Sequence, residues 1–118
     1  MLVNAIVDKL KQGTIPTVYL FSDTDTVPEP PYVVVKPETG SLPNTRQFRI
    51  IVHANQGQFD LLEKYAFIEL DRMLLGGVID DEGYRYKLYV NGFTDIMPEP
   101  DDNTFFMERI YFTPLRSG

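Results

Sequence analysis

YVVVKPETG, residues 32–40, predicts a strand that ends in a turn, because three consecutive valines favour extended backbone and the Pro and Gly that follow favour a reversal. Residues 46–54 then alternate between an apolar and a mixed face. The apolar face consists of Phe48, Ile50, Val52 and Ala54, and the mixed face consists of Gln47, Arg49, Ile51 and His53. The centre of the chain therefore predicts two consecutive strands with one face in a core.

Two amphipathic helices are predicted, one on each side of this region. Residues 58–75 place apolar side chains on a wide stripe, and Gly76-Gly77 ends the pattern. Residues 1–12 show the same spacing over a shorter length, with Gly13 where a C-cap is expected. We expect the long helix to pack on the sheet through Phe59, Leu62, Ala66, Leu70 and Met73.

Three further strands are predicted at residues 17–21, 84–90 and 105–112, with loops rich in Asp and Pro at 22–31 and 91–103. The order α-β-β-β-α-β-β indicates an α+β fold. It has a single mixed or antiparallel sheet, one long helix packed on one face, and a short N-terminal helix. A chain of 118 residues without repeats or a linker is expected to form one domain, residues 1–118.

Residues 105–112 are largely apolar on both faces, so both faces of the sheet need cover. The sequence pattern does not show what covers the second face. Either the first helix or another copy of the chain would account for it, and a single helix often suffices for a small sheet. The side chains in question are Thr17, Tyr19, Tyr89, Phe105 and Tyr111.

Composition disfavours several functional classes. A formal net charge of −6 with scattered basic residues is a poor match for phosphate binding. The absence of Cys removes disulfides and zinc–thiolate sites and fits a reducing compartment. The charged residues Asp8, Lys9 and Lys11 interrupt the first apolar segment, so we expect neither a signal peptide nor a membrane span there.

The sequence predicts no catalytic, cofactor-binding or metal site, and we therefore expect that the chain is not an enzyme. His53 is the sole histidine, and a surface or half-buried role in its strand is expected. Gly76-Gly77 follows a helix and does not open one, which is the wrong side for a phosphate loop. Acidic residues cluster at Asp23/Asp25, Asp80/Asp81/Glu82 and Glu99/Asp101/Asp102. They lack EF-hand spacing, and solvated turns explain them better than a calcium or magnesium site.

Aromatic residues make up 13% of the chain, and Tyr84-Arg85-Tyr86-Lys87 has the composition of a strand that stacks single-stranded nucleic acid. The acidic loops and the net charge argue against that function. Core and subunit interfaces are the better interpretation, since Tyr and Phe are favoured where a large contact area is buried.

The order of elements resembles the tail terminator, or tail completion, proteins of lambda-like bacteriophages with long non-contractile tails. The resemblance lies in the early helix, the approach through Pro30-Pro31 to Tyr32-Val33-Val34-Val35, the Pro37-Glu38-Thr39-Gly40 turn, the strand through Ile50-Ile51-Val52-His53, and the helix at 58–75. It covers nearly the whole chain in order and consists of patterns of elements and turns.

The resemblance implies a structural virion protein, located at the tail and neck and assembled in the host cytoplasm. Such proteins form a homo-hexameric ring on the tail tube protein, stop tube growth, and offer a joining surface to a head-side connector or stopper. DNA passes through the ring's channel without specific binding. Acidic residues near the channel would reduce the adhesion of DNA. A cyclic ring requires heterologous subunit contacts. No membrane is involved.

Two loops, 37–45 and 91–103, are the expected contacts with the tube or the connector, although ordinary loops of this polarity need no partner. Their candidate residues are Glu38, Thr39, Leu42, Pro43, Asn44, Phe93, Asp95, Ile96, Met97 and Glu99. The candidate subunit-interface aromatics are Tyr89, Phe105 and Tyr111.

Two alternatives remain open. One is another neck component, such as a stopper or head-completion protein, which would assemble on the portal side. The other is a small ligand-binding or regulatory α+β domain, or an enzyme that uses the acidic clusters; a stabilising metabolite or metal would favour it.

Overall fold

The computed structural model describes residues 2–21, 28–39, 45–80, 82–100 and 103–114, with only the backbone described at positions 39, 66 and 67. The YVVV run and the alternating segment form two strands, β2 (Tyr32–Thr39) and β3 (Thr45–Asn55), as the sequence predicts. The other elements are α1 (Leu2–Leu10), β1 (Val18–Leu20), α2 (Phe59–Lys64), α3 (Leu70–Leu74), β4 (Val78–Ile79), β5 (Arg85–Tyr86), β6 (Tyr89–Phe93), β7 (Met97–Pro98) and β8 (Thr104–Pro114).

The main sheet has six strands, in the order β1-β2-β3-β8-β6, with β7 also paired to β8. β1 and β2 are parallel, and the other pairs are antiparallel. β4 and β5 form a separate antiparallel pair. The fold is therefore α+β with a mixed sheet.

The predicted core face of β3 is confirmed. Phe48, Ile50, Val52 and Ala54 are all buried, and the register places Val33 and Val35 of β2 on the same face. Met107 and Tyr111 of β8 continue this face and are also fully buried. Alternation along extended strands is thus sufficient to assign the buried side of the sheet.

The single long helix predicted over 58–75 is not observed as one regular helix. A 3₁₀ turn (Gln56–Gln58) leads into α2, a π-helical segment (Tyr65–Glu69) follows, and α3 completes the run. In the π segment the Leu70 N–H donates to the Tyr65 carbonyl, five residues back. The wider turn of the π segment shifts the apolar stripe around the helix axis. A search for apolar residues at a 3.6-residue spacing does not detect such a shift.

The first helix covers the same face of the sheet as α2 and α3, so the first of the two alternatives for the second face, cover by this helix, is wrong. Its buried residues Leu2, Ile6, Val7 and Leu10 belong to one core cluster with Val33, Ile50, Leu62 and Leu74. An amphipathic stripe shows which side of a helix is buried but not which face of a sheet buries it.

The strand predicted over 84–90 is divided between two sheets. Arg85 and Tyr86 pair with β4, whereas Tyr89 begins β6 against β8. Leu88 lies between them and is 1% exposed in the core, which redirects the chain. Likewise, part of the predicted loop 91–103 is strand, since β6 extends through Phe93 and β7 comprises Met97 and Pro98.

Among the described residues, the helices are all too short or too polar to cross a lipid bilayer.

Candidate interaction surface

The outer edge of the sheet beside β8 carries four of the ten large apolar side chains that are exposed in the described part of the chain. β3 pairs with β8 along its whole length, so β6 and β7 must share the opposite side of β8. These four exposed side chains are Tyr89 (40%), Val90 (37%), Phe93 (56%) and Met97 (45%). We call β6 and β7 together the β6–β7 edge.

The edge presents apolar groups on both faces of the sheet. Tyr89 stacks on Phe112 at a ring-centroid distance of 5.4 Å, on the face opposite the helices. Phe93 lies on the helix side, with the Arg109 guanidinium 5.7 Å from its ring centroid. A register shift between Val90 and Gly92 changes the alternation between these two aromatics.

A polar cluster anchors the helix side of the edge. Arg109 stands among apolar core positions, and its Nε and Nη2 donate to the two oxygens of Asp71 on α3, at 2.7 and 2.5 Å. The Tyr111 hydroxyl donates to Asp71 Oδ1 at 2.6 Å. Burial, followed by the hydrogen bond to Asp71, raises the pKa of Tyr111. The Asp71 carboxylate thus ties the helical layer to β8 beneath Phe93.

The second face of the sheet carries a row of rings and no described helix. Tyr32 stacks on His53 at 4.4 Å and on Tyr19 at 5.9 Å, and Phe106 lies 5.9 Å beyond His53. The row crosses β1, β2, β3 and β8. Tyr32 is 4% exposed, so the flanking rings substitute for a covering layer.

His53 is linked from this row to the segment after β7. Its Nδ1 lies 2.7 Å from Glu99 Oε1, and the two side chains are 14% and 21% exposed. Burial lowers the pKa of His53, and the nearby Glu99 carboxylate only partly offsets that effect. The Nδ1 atom makes no hydrogen bond of acceptable geometry with the described residues, so its contact with Glu99 is electrostatic. The half-buried role expected for this histidine is confirmed.

A charged cluster lies on the same face of the sheet as the row of rings. Arg49 lies between Glu38 and Glu108, with Nε 2.7 Å from Glu38 Oε1 and Nη1 bonded to Glu108 Oε2. The Arg49 hydrogen bond lowers the pKa of Glu38. This cationic side chain is already neutralised by two carboxylates and is a poor candidate for gripping phosphate.

The structure distributes the predicted partner-contact residues over several environments. Leu42, Pro43 and Asn44 lie outside the described residues. Glu38 and Thr39 belong to β2 and not to a loop, because β2 continues through Pro37 to pair with Phe48. Phe93, Asp95 and Met97 are exposed at or beside the β6–β7 edge, whereas Ile96 packs partly against the core. The Glu99 carboxylate contacts the His53 ring.

The predicted subunit-interface aromatics also separate. Tyr89 is exposed on the edge, but Tyr111 is 0% exposed within the chain's own core and offers no surface to a neighbour. Phe105 packs on the core and meets Phe59 edge-to-face at 5.6 Å. The period-two pattern places both Phe105 and Tyr111 on one face, but only the strand register shows that it is the helix-covered one.

Acidic residues in the described part of the chain form no group that could hold a metal ion. Asp80 instead closes the β4–β5 turn, since its Oδ1 accepts the N–H groups of Glu82 and Tyr84, both at 2.9 Å. Asp23, Asp25, Asp81, Asp101 and Asp102 lie outside the described residues.

Val90 and the Asp71–Arg109 pair were not singled out by sequence reasoning. Arg109 does interrupt an apolar strand, which is the one signal that could have directed attention to a buried partner. Comparisons with protein-family models and with curated proteins give no match to this chain.

Proposed function

We propose that this chain is a structural virion protein that forms a ring on the end of a phage tail tube, ends tube polymerisation and provides the head-joining surface. The proposal starts from the sequence resemblance to tail terminators. We take the consecutive helical segments between residues 56 and 74 as the counterpart of that family's long helix. The observation that carries the proposal beyond resemblance is the apolar β6–β7 edge.

An exposed apolar edge strand is a liability for a protein that works alone. Monomeric β proteins protect such edges with charges, proline or a covering segment. Here Pro98 and the register shift at Val90/Gly92 are the protective features within the two strands, while Tyr89, Val90, Phe93 and Met97 remain exposed. The edge is therefore best suited to a contact in which it becomes buried.

A contact through one edge of a sheet suits a ring. The β6–β7 edge at one end of the sheet and the β1 end are different surfaces, so a neighbour that meets the first edge with another surface makes a heterologous contact. Such contacts form a closed ring when the rotation between neighbouring copies is a whole fraction of a turn. The proposed partners are copies of the chain, the tail tube protein, and a head-side connector that contacts the exposed Asp95 and Met97 region.

The charge distribution suits a channel that lets DNA pass. The chain has a net charge of −6, and Arg49 on the helix-free face is neutralised by Glu38 and Glu108. Because the chain is net acidic and Arg49 is neutralised, few counterions would be released when this face meets phosphate, so DNA would not adhere to it.

The test is complementation of the parent phage with its gene for this chain disrupted, scored by electron microscopy. Without the chain, tails should be overlong and headless. The wild-type chain and Ile68→Asp should restore normal tails, because Ile68 is 59% exposed but lies on the helical layer. Phe93→Asp should fail to restore them.

The expected size of the Phe93 effect follows from its exposure. An aromatic side chain buries roughly 150–250 Å², so the 56% of Phe93 that is exposed leaves roughly 100 Å² for a neighbour. At about 25 cal/mol per Å² this is about 2.5 kcal/mol per contact. Intact virions without the gene would overturn the proposal, and normal tails beside unattached heads would assign the chain to the head side of the neck.

A further inference from the structure

A groove of about 620 Å³ lies between α1 and the β4–β5 hairpin, away from the β6–β7 edge. One wall consists of the polar side of α1, including Asn4, Asp8 and Lys9, and of Gln12 just after the helix. The other consists of residues 77–80 together with Arg85. The volume is in the range of specific ligand sites.

The hairpin wall offers a strand edge. Asp80 N–H donates to the Tyr84 carbonyl at 3.0 Å, so Asp80 and Tyr84 form a hydrogen-bonded pair. Such pairs alternate with non-hydrogen-bonded ones in an antiparallel ladder, which makes Ile79–Arg85 a non-hydrogen-bonded pair. The Ile79 N–H and carbonyl therefore point away from β5, and the Ile79 side chain is 59% exposed.

The groove also contains two cations on facing walls. Lys9 stands on α1 and Arg85 on β5, and neither has a carboxylate partner within ion-pair distance among the described residues. Of the two lining carboxylates, Asp80 is held by the turn N–H groups, and Asp8 is exposed on the helix.

We propose that this groove binds an extended peptide segment that bears acidic side chains. The peptide backbone adds to the outer edge of β4 at Ile79, and its carboxylates contact Lys9 and Arg85. A strand edge beside a helix is a recurring peptide-binding arrangement, in which backbone hydrogen bonds supply affinity and side-chain contacts supply specificity. The inference does not depend on ring formation.

The experiment is a ¹⁵N-¹H correlation titration of the full chain with a blocked pentapeptide that alternates valine and glutamate. A matched peptide with lysine in place of glutamate is the control. The glutamate peptide should shift the amides of residues 4–12 and 77–86, and the lysine peptide should not. Lys9→Glu and Arg85→Glu should each weaken binding about fivefold, the effect of losing one partly solvated charge pair of about 1 kcal/mol.

Lys87→Glu is the matched control variant, because Lys87 is an exposed cation close to the hairpin but does not line the groove. It should bind like the wild type. Absence of shifts at millimolar peptide, equal binding of the two peptides, or shifts centred on residues 89–98 would overturn the proposal. Two separate charge-reversal variants keep the test decisive if one of them fails to fold.

Discussion

Replacing Asp71 with alanine should destabilise the fold strongly, because one carboxylate serves three donors. Arg109 Nε, Arg109 Nη2 and the Tyr111 hydroxyl all donate to it, at 2.7, 2.5 and 2.6 Å. The Arg109 and Asp71 side chains are 11% and 24% exposed, and Tyr111 is fully buried. Removal of the Asp71 carboxylate leaves the nearly buried Arg109 guanidinium and the buried Tyr111 hydroxyl without this hydrogen-bond acceptor.

The magnitude follows from these two consequences. Removing one partner of a buried ion pair costs about 3–5 kcal/mol, and the residual exposure of this pair places it near the lower limit. An orphaned buried hydroxyl costs about 1–3 kcal/mol, but the two losses share one carboxylate and do not add. We therefore expect the free energy of unfolding to fall by about 3 kcal/mol, a large part of the total for a domain of this size.

Urea denaturation followed by circular dichroism measures this change. Arg72→Ala is the matched control, because Arg72 also pairs on the helical layer, with Glu69 at 2.5 Å, but its side chain is 68% exposed. It should change stability by less than about 0.5 kcal/mol. If Asp71→Ala and Arg72→Ala lower the free energy of unfolding by similar amounts, the Asp71 cluster does not hold the helical layer to β8.

Three further predictions concern single sites. Burial lowers the pKa of His53 from its ordinary value of 6.5, so the unfolded chain binds its proton first and stability should fall as pH drops below about 6.5. His53→Gln should reduce that fall in urea denaturation at pH 7 and 5, and an unchanged pH dependence would contradict the assignment. Tyr65 has a buried hydroxyl without a hydrogen-bond partner in the described part of the chain, and burial raises its pKa to about 12. Tyr65→Phe should therefore raise the unfolding free energy by up to about 1 kcal/mol, and a loss of that size would mean that the hydroxyl is satisfied. Gly77→Ala should cost about 1–2 kcal/mol in thermal denaturation, because φ is +98° and a Cβ would lie 3.3 Å from the Tyr86 carbonyl oxygen. Gly76→Ala, with open space around its Cβ, is the control and should be nearly neutral.

Local patterns predict much of the main sheet. Alternation assigns the buried face of β3 and the two faces of β8, since period-two side-chain placement needs no knowledge of neighbours. It does not predict which strands pair. The β3–β8 pairing joins residues about 60 positions apart in sequence, and that register, which places Tyr111 in the core, is a tertiary property.

The candidate surface was only partly predictable for the same reason. Phe93 and Met97 are apolar residues in a polar segment, and sequence alone indicates that they need an explanation. That they extend the sheet edge follows only from pairing with β8. Arg109 requires a partner from a different element, Asp71 on α3, which no sequence spacing identifies.

The most direct test of the proposed capping function is to add gold-labelled purified chain to the tail tubes that accumulate when the gene is disrupted, and to locate the label by electron microscopy. The account predicts label at a single end of each tube and the recovery of head attachment, with Phe93→Asp giving neither. Label along the tube wall, or no binding to tubes by a folded wild-type chain, would contradict it.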